Sequence, residues 1–322
     1  MGLFNFTTGS SVFGLDIGFE ALKLVELKKS KKKISLVGSI EVPLTERILE
    51  KDSFKNKAAT ANLIKEACRK AKPNPISAQK IISALPETFV FSKTVQMPKM
   101  SDKEYLNAIP VEAAKYLPIP VEEVYLDYQV LITHPDDPLA DIIIVASPKK
   151  LVDEYVEVIK MAGFELAALE TKPIAVGRGV AMSQTLNSSV IIEIGTEISR
   201  LSIWDKQNIR LIVSINNGKN HIVENLNGSA DPLALRGSPA LINIVSETIN
   251  AIKYHQNRDY KPNPISNILV SGSGAKIPGL AEFLSEEIKI PTQIVLPKLS
   301  GKFQLDSEFI TAYGLALRDE FE

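Results

Sequence analysis

The alternation of apolar and polar positions divides the chain into two halves that begin in the same way. The first half opens with three apolar runs of strand length: Val12–Asp16, Ala21–Leu27 and Ile34–Val42. The second half opens with three similar runs: Val190–Ile194, Ile198–Asp205 and Ile209–Ile215. Runs of this length and composition are typical of buried strands. The pattern therefore predicts two three-stranded meanders, and a repeat of this size indicates two similar domains.

A separate block of elements lies between the two meanders. The pattern predicts the helix Ala58–Lys72 and the strand Lys80–Leu85, then the strand Phe89–Val95, a helix from Glu104 through Tyr116, the strands Tyr125–Ile132 and Asp141–Ala146, and the helix Lys149–Ala162. Ser101 and Glu104 have capping-box spacing, and Pro110 predicts a kink or a local opening of the helix. Ser147 and Pro148 predict the N-cap and first residue of the last helix. We therefore expect an inserted β–α–β–β–α subdomain at residues 89–162.

The remaining elements complete the two domains. The pattern predicts the strand Phe164–Leu169, the helix Lys172–Met182, a polar stretch at 225–237, a helix from about Ser238 to Asn257, the strand Ile268–Ser271, the helix Leu280–Ile288, the strand Gln293–Leu296 and the helix Glu308–Leu317. We expect an N-terminal arm at 1–11, a first domain at 12–88 and 163–186, and a second at 187–322. The fold class is α/β.

Composition narrows the class of protein. Net charge is −1, so no overall field attracts nucleic acid or anionic lipid, and we expect no nucleic-acid partner. Cys68 is the single cysteine, which excludes an intrachain disulfide and favours a reducing compartment. No apolar run reaches the ~20 residues that cross a bilayer, and the N-terminus does not resemble a secretory signal. The three histidines show no metal-ligand spacing.

Each half carries a tight glycine turn directly after its first strand. These turns read Asp16-Ile17-Gly18 and Glu193-Ile194-Gly195. Such a turn brings backbone N–H groups close to a phosphate, and its carboxylate can hold a hydrated metal ion. A turn carboxylate that only caps its own backbone is the alternative. Lys23 can either reach a phosphate oxygen or extend to the strand edge.

These residues resemble the motifs of the actin-like ATPase superfamily. Asp16-Ile17-Gly18 resembles its first phosphate motif, Glu193-Ile194-Gly195 its second, and Leu269 to Leu280 its adenosine motif. The resemblance implies duplicated actin-like (ribonuclease H-like) domains around a nucleotide cleft that binds ATP, with Mg²⁺ held by Asp16 and Glu193. The implied nucleotide-binding residues are Asp16, Gly18, Phe19, Glu20, Lys23, Glu193, Gly195, Thr196, Gly272, Ser273, Gly274, Ala275 and Pro278.

A narrower resemblance is to the PilM family of type IV pilus assembly proteins, from residue 12 to about residue 318. It rests on the start of the chain and on segments of the inserted block: Gly14–Gly18, Gln96–Ser101, Glu112–Pro120, Leu126–Tyr128 and Val145–Lys149. It implies a cytoplasmic adaptor that joins other pilus assembly proteins and binds the N-terminal tail of a PilN-like inner-membrane protein. That tail would associate the chain peripherally with the inner membrane. We place the tail-binding groove at Phe89, Phe91, Val95, Tyr105 and Ile109.

Two departures from the superfamily pattern leave alternatives open. Glu193 stands where an aspartate is usual, and only Lys219 to Gly237 remains of a helical subdomain that closes over adenine in the superfamily. No residue is evident that would activate water, so we expect slow ATP turnover or none. The alternatives are an actin-fold ATPase, a self-associating, filament-forming protein like FtsA, or a family member that has lost nucleotide binding. The ending Arg318 to Glu322 lacks the amphipathic membrane helix of FtsA-like chains.

Overall fold

A computed structural model of the chain describes residues 11–30, 33–50, 52–131, 138–205, 208–226, 232–257 and 262–318. The expected N-terminal arm thus lies, except for Ser11, outside the described residues. The described segments form two compact units. The first contains the chain up to Leu24 together with Ser39–Lys172, and the second contains Val25–Gly38 together with the chain from Pro173 onward.

The elements follow the predicted order. The chain up to the inserted block contains β1 Val12–Ile17, β2 Ala21–Ser30, β3 Lys33–Pro43, β4 Leu49–Glu50, β5 Ser53–Phe54, α1 Lys57–Lys70, β6 Lys72–Pro73 and β7 Lys80–Leu85. The inserted block contains β8 Phe91–Pro98, α2 Asp102–Ala113, β9 Val124–Val130, β10 Leu139–Pro148 and α3 Lys149–Met161. The rest contains β11 Glu165–Thr171, α4 Lys172–Ser183, β12 Ser188–Ile194, β13 Ser199–Asp205, β14 Asn208–Ile215, α5 Lys219–Leu226, α6 Pro232–Gly237, α7 Pro239–Gln256, β15 Asn267–Ser271, α8 Leu280–Ile288, β16 Thr292–Ile294 and α9 Ile310–Ala316.

The first predicted meander belongs to a six-stranded sheet of order β11-β7-β1-β2-β3-β6. Strands β1, β7 and β11 run parallel. The carboxyl ends of parallel strands meet at one edge of a sheet, so Asp16 near the end of β1 and Lys172 just after β11 emerge at the same edge. This edge is where the first glycine turn begins. Cys68 is buried in α1.

The inserted block has the predicted β–α–β–β–α order, with an antiparallel sheet of order β8-β10-β9. Three local predictions were wrong. Phe89 belongs to a 3₁₀ turn closed by its N–H to Pro86 at 3.0 Å, so β8 begins at Phe91. Helix α2 ends at Ala113, short of Tyr116, and Pro110 lies inside it. Ser147 does not cap α3, because β10 remains paired with β9 through Pro148.

The second unit contains a five-stranded sheet of order β14-β13-β12-β15-β16, which includes the second predicted meander. Helix α7 starts where predicted, and the Ser238 side chain caps it by accepting from the N–H of Leu241. Helices α5 and α6 were not predicted, because segments this short show too little periodicity; they contribute Ile222, Leu226 and Leu235 to the core. The predicted helix 308–317 starts as a 3₁₀ turn, and β16 ends two residues early. None of the helices in the described segments has the length and apolar character to cross a membrane.

Candidate functional site

The first glycine turn is a tightly closed hairpin between β1 and β2. The N–H of Gly18 donates to the carbonyl of Ala21 at 2.9 Å. A Cβ on Gly18 would lie 2.8 Å from that oxygen, so the turn requires glycine. The guanidinium of Arg47 lies 5.1 Å from the centre of the half-buried Phe19 ring, and the exposed Glu20 accepts a hydrogen bond through its carbonyl from the N–H of Leu44 at 2.7 Å.

The second glycine turn closes in the same way. The N–H of Gly195 donates to the carbonyl of Ile198 at 3.1 Å, and a Cβ on Gly195 would lie 2.7 Å from that oxygen. The first N–H groups of α5 also bind this turn: Lys219 donates to the carbonyl of Gly195 at 2.8 Å and Asn220 to that of Thr196 at 3.0 Å. The repeat seen in the sequence is therefore a repeat of hydrogen-bonded geometry.

The carboxylate of the first turn forms a buried ion pair. Asp16 lies 2.6 Å from the ammonium of Lys172, and their side chains are 9 % and 8 % exposed. The ammonium also donates to the carbonyl of Ile17 at 3.4 Å. We did not single out Lys172 in the sequence. Its position directly after the buried strand β11, at the start of a helix, is the signal that could have identified it.

The carboxylate of the second turn is paired as well. Glu193 lies 3.2 Å from the guanidinium of Arg200, with side chains 10 % and 7 % exposed. The hydroxyl of Thr311 donates to the other carboxylate oxygen at 3.2 Å. Arg200 stands opposite Glu193 in the ladder of β12 and β13. Sequence reasoning missed Arg200, although its place in the predicted hairpin could have revealed the pair.

Lys23 has a partner on the neighbouring strand. Its ammonium lies 3.3 Å from the carboxylate of Glu41, and its side chain is largely buried. Strands β2 and β3 carry these two residues. The charge of Lys23 is thus balanced within the sheet.

The glycine run of the second unit packs against the second turn. Gly272 has φ +87°, and a Cβ there would lie 2.5 Å from the carbonyl oxygen of Ile194. A Cβ on Gly274 would overlap the side chain of Ile194. Gly272 also donates its N–H to the carbonyl of Ser307 at 3.3 Å. The structure thus joins the predicted adenosine motif to the second phosphate motif through Ile194.

The remaining residues of the glycine run differ in exposure. Ala275 is buried, Ser273 is half-buried and Pro278 is exposed. Lys276 lies 2.6 Å from Glu308 and 2.9 Å from Asp306, and these contacts raise its pKa above the usual lysine value. This ion pair fastens the run to the segment that precedes α9.

Several buried polar atoms near the two turns have no hydrogen-bond partner within the described part of the chain. In the first unit these atoms include Tyr155 Oη and Thr171 Oγ1. Thr171 directly precedes Lys172 in the sequence. Burial raises the pKa of Tyr155, and the charge of Asp16 raises it further. In the second unit they include Ser271 Oγ and Arg200 Nε. Ser271 faces Glu193 in the register of β12 and β15. Unused buried hydrogen-bonding groups are expected to take up water or a ligand.

The predicted groove residues separate into interior and surface positions. Val95, Tyr105 and Ile109 are buried in the core of the inserted block. The hydroxyl of Tyr105 donates to the carbonyl of Pro98 at 3.2 Å, which anchors α2 to the end of β8. Phe89 and Phe91 are half-buried. Helix α2 also exposes Leu106 and Val111, which the sequence reasoning did not identify.

Within the described residues, no group of three or more His, Cys, Asp or Glu side chains is placed to hold a metal ion. The two turn carboxylates lie in different units, and each forms an ion pair with a buried cation of its own unit. What the arrangement offers chemically is therefore a pair of closed glycine turns with compensated carboxylates and unused hydrogen-bonding groups beside them.

A sequence model of the family described as type IV pilus assembly protein PilM matches residues 14–226. The chain belongs to this family. The match contains both glycine turns and the whole inserted block, whereas the glycine run at Gly272 lies beyond it. Membership of the PilM family makes the chain a type IV pilus assembly protein and accounts for the sequence resemblance in the inserted block.

Solved structures share the fold of this PilM family member. A structure described as "PilM-PilN type IV pilus biogenesis complex" matches with a TM-score of 0.80 at 23% identity, covering 96% of this chain and 98% of the other. The ethanolamine utilization protein EutJ from Carboxydothermus hydrogenoformans matches with a TM-score of 0.55 at 14% identity, over 98% and 91%. MreB 5 of Spiroplasma citri bound to AMPPNP matches with a TM-score of 0.50 at 15% identity, over 98% and 97%. The actin-like fold predicted from the sequence is confirmed.

Proposed function

We propose that this chain is an actin-like scaffold of type IV pilus assembly that binds the N-terminal cytoplasmic tail of a PilN-like inner-membrane protein. The observation that carries the proposal is the family match over residues 14–226. The fold likeness to a PilM in complex with PilN, over nearly the whole chain, supports it. Through this tail the chain associates with the cytoplasmic face of the inner membrane and with other pilus assembly proteins.

The tail docks beside β8 of the inserted block. In the described sheet β8 pairs with β10 only and so lies at an edge. An extended peptide can add to such an edge through its backbone while its side chains enter adjacent apolar pockets. Phe89 and Phe91 supply half-buried apolar surface at the start of this edge. Val95, Tyr105 and Ile109 support the groove from the core beneath it.

Peptide binding tests this docking site. A fluorescently labelled N-terminal tail of a PilN-like protein is titrated with the purified protein. We expect saturable binding, and a loss of at least about tenfold in affinity for Phe91→Ser. Phe303→Ser is the matched control, since Phe303 is a surface phenylalanine in the second unit. Equal affinity of wild type and Phe91→Ser would contradict the groove, and no binding by wild type would contradict the partner.

We further propose that the chain binds ATP. The matching hairpin closure at Gly18 and Gly195 supports this, as does the fold shared with an MreB bound to AMPPNP. The unused hydrogen-bonding groups beside each turn support it as well.

Calorimetric titration with ATP tests the nucleotide site. We expect one saturable binding event, weakened at least about tenfold by Gly272→Ala, because a Cβ there would collide with Ile194. Gly301→Ala is the matched control: Gly301 also has positive φ, at +106°, but nothing lies within 4 Å of its added Cβ. No saturable heat for wild type up to about 1 mM ATP would contradict nucleotide binding.

A further inference from the structure

The carboxylates of both glycine turns already have counter-ions supplied by the chain. Asp16 faces the ammonium of Lys172 at 2.6 Å, and Glu193 faces the guanidinium of Arg200 at 3.2 Å. All four side chains are at most 10 % exposed. The same arrangement thus occurs in both units, built from different elements.

These pairs do not fit the metal-holding role that the superfamily resemblance implies. Mg²⁺ is bound through the negative charge of one or two carboxylates together with substrate phosphates, and it keeps several of its waters. A carboxylate in contact with a buried ammonium or guanidinium has its charge compensated. A divalent ion sharing that carboxylate would also place two positive centres close together in a poorly solvated site.

Lys172 and Arg200 are themselves suited to phosphate. A lysine ammonium binds phosphate as a point charge, and a guanidinium binds it with several fixed N–H donors. Arg200 retains a buried Nε without a hydrogen-bond partner among the described residues. The buried hydroxyl of Thr171, directly before Lys172, also has no hydrogen-bond partner among the described residues. Arg200 itself, and the residue next to Lys172, therefore each have a polar atom available to bind a ligand.

We propose that Asp16 and Glu193, each already paired with a buried cation, do not hold Mg²⁺, and that Lys172 and Arg200, each in its own unit, contact phosphate oxygens as hydrogen-bond donors instead, so that nucleotide binding by this chain does not require Mg²⁺. This inference rests on the proposed binding of ATP. It concerns only which groups contact the phosphates.

Calorimetry with AMPPNP, once in excess EDTA and once in excess Mg²⁺, tests the proposal on the wild-type chain. We expect the two dissociation constants to agree within about twofold. Binding at least about tenfold tighter in Mg²⁺ would overturn the proposal while leaving nucleotide binding intact. Absence of binding in both conditions would overturn both, so the two failures are distinguishable.

Variants then test whether these cations are responsible. Lys172→Gln and Arg200→Gln should each weaken binding in EDTA at least about tenfold, and Mg²⁺ should restore much of that loss. Lys65→Gln, which removes the charge of an exposed lysine on α1, should behave as wild type. Circular dichroism establishes which variants fold. Because Lys172 and Arg200 lie in different units, one folded variant is enough to test the proposal. Unchanged affinity in EDTA for a folded variant would overturn the assignment of its cation.

Discussion

The two glycine turns differ in where their carboxylate is paired. The cation beside Asp16 comes from a distant part of the chain, whereas the cation beside Glu193 lies on the adjacent strand. Lys172 follows β11 and begins α4, far in sequence from Asp16. Arg200 stands opposite Glu193 within one hairpin. The turns themselves close identically in pattern, with the glycine N–H bound to the carbonyl three residues on, at 2.9 and 3.1 Å.

This difference separates what is local in the repeat from what depends on tertiary structure. The hairpin and its glycine need only the neighbouring residues. The pair of Asp16 and Lys172 forms only when β1, β7 and β11 lie in register. Glu193 accepts a second hydrogen bond, from the Thr311 hydroxyl, and its ion pair is longer, at 3.2 Å against 2.6 Å for Asp16 and Lys172. The first turn should therefore be the more sensitive to loss of its cation.

Removal of Lys172 should have the largest effect on stability. Lys172→Met leaves the carboxylate of Asp16 buried beside an apolar side chain, and breaking such a pair costs about 3–5 kcal/mol. Urea denaturation followed by far-UV circular dichroism measures the loss. The double variant Asp16→Asn with Lys172→Met should recover part of it, because the buried negative charge is gone. Lys65→Met is the matched control, and a loss for Lys172→Met no greater than for this control would show that the pair of Asp16 and Lys172 does not stabilise the fold.

Removal of Arg200 should cost less, about 2 kcal/mol, because Glu193 keeps the hydrogen bond from Thr311. The single tryptophan, Trp204, is buried on the same strand as Arg200, so its fluorescence reports unfolding around the second turn. Arg200→Met is compared with Lys172→Met under the same conditions. A larger loss for Arg200→Met would reverse the comparison between the turns.

The parts that the sequence made predictable are those that depend on local pattern. Both meanders, the order of the inserted block and the capping box at Ser101 and Glu104 follow from periodicity and capping chemistry, and the Ser101 N–H does donate to Glu104 at 2.8 Å. The partner of Asp16 did not follow, because it depends on the register of parallel strands. Likewise, only packing explains why Val95 and Ile109 are interior.

The glycines of the two turns should respond equally to alanine. Gly18→Ala and Gly195→Ala place a Cβ 2.8 and 2.7 Å from a backbone oxygen, so each should cost about 1–2 kcal/mol by opening the hairpin. Gly237→Ala is the control, because its added Cβ meets nothing within 4 Å. Chemical denaturation of the three variants measures this. A difference of more than about 1 kcal/mol between the two turns would show that their shared closure is not equally important.

A third buried carboxylate, Glu154 on α3, separates the effect of a buried cation from that of hydrogen-bond donors. It accepts from the N–H of Phe54 at 2.7 Å and the hydroxyl of Ser53 at 2.8 Å, and it lies 3.3 Å from the ammonium of Lys57. Burial raises its pKa, but these donors outweigh burial and leave the pKa below the usual glutamate value. Glu154→Gln should therefore cost about 1 kcal/mol near neutral pH, the smallest effect here.

The pH dependence of this cost follows from the direction of the pKa shift. A lowered folded-state pKa stabilises the fold fully above the unfolded value of about 4.3, and the contribution disappears as pH falls through the folded value. The stability difference between wild type and Glu154→Gln should thus close on acidification. Glu157→Gln, which removes the more exposed partner of Lys57, should show little difference at any pH. If the difference in stability between wild type and Glu154→Gln persisted at about pH 3, the charge of Glu154 would not be the source of the difference. Hydrogen-bond geometry alone would then explain it.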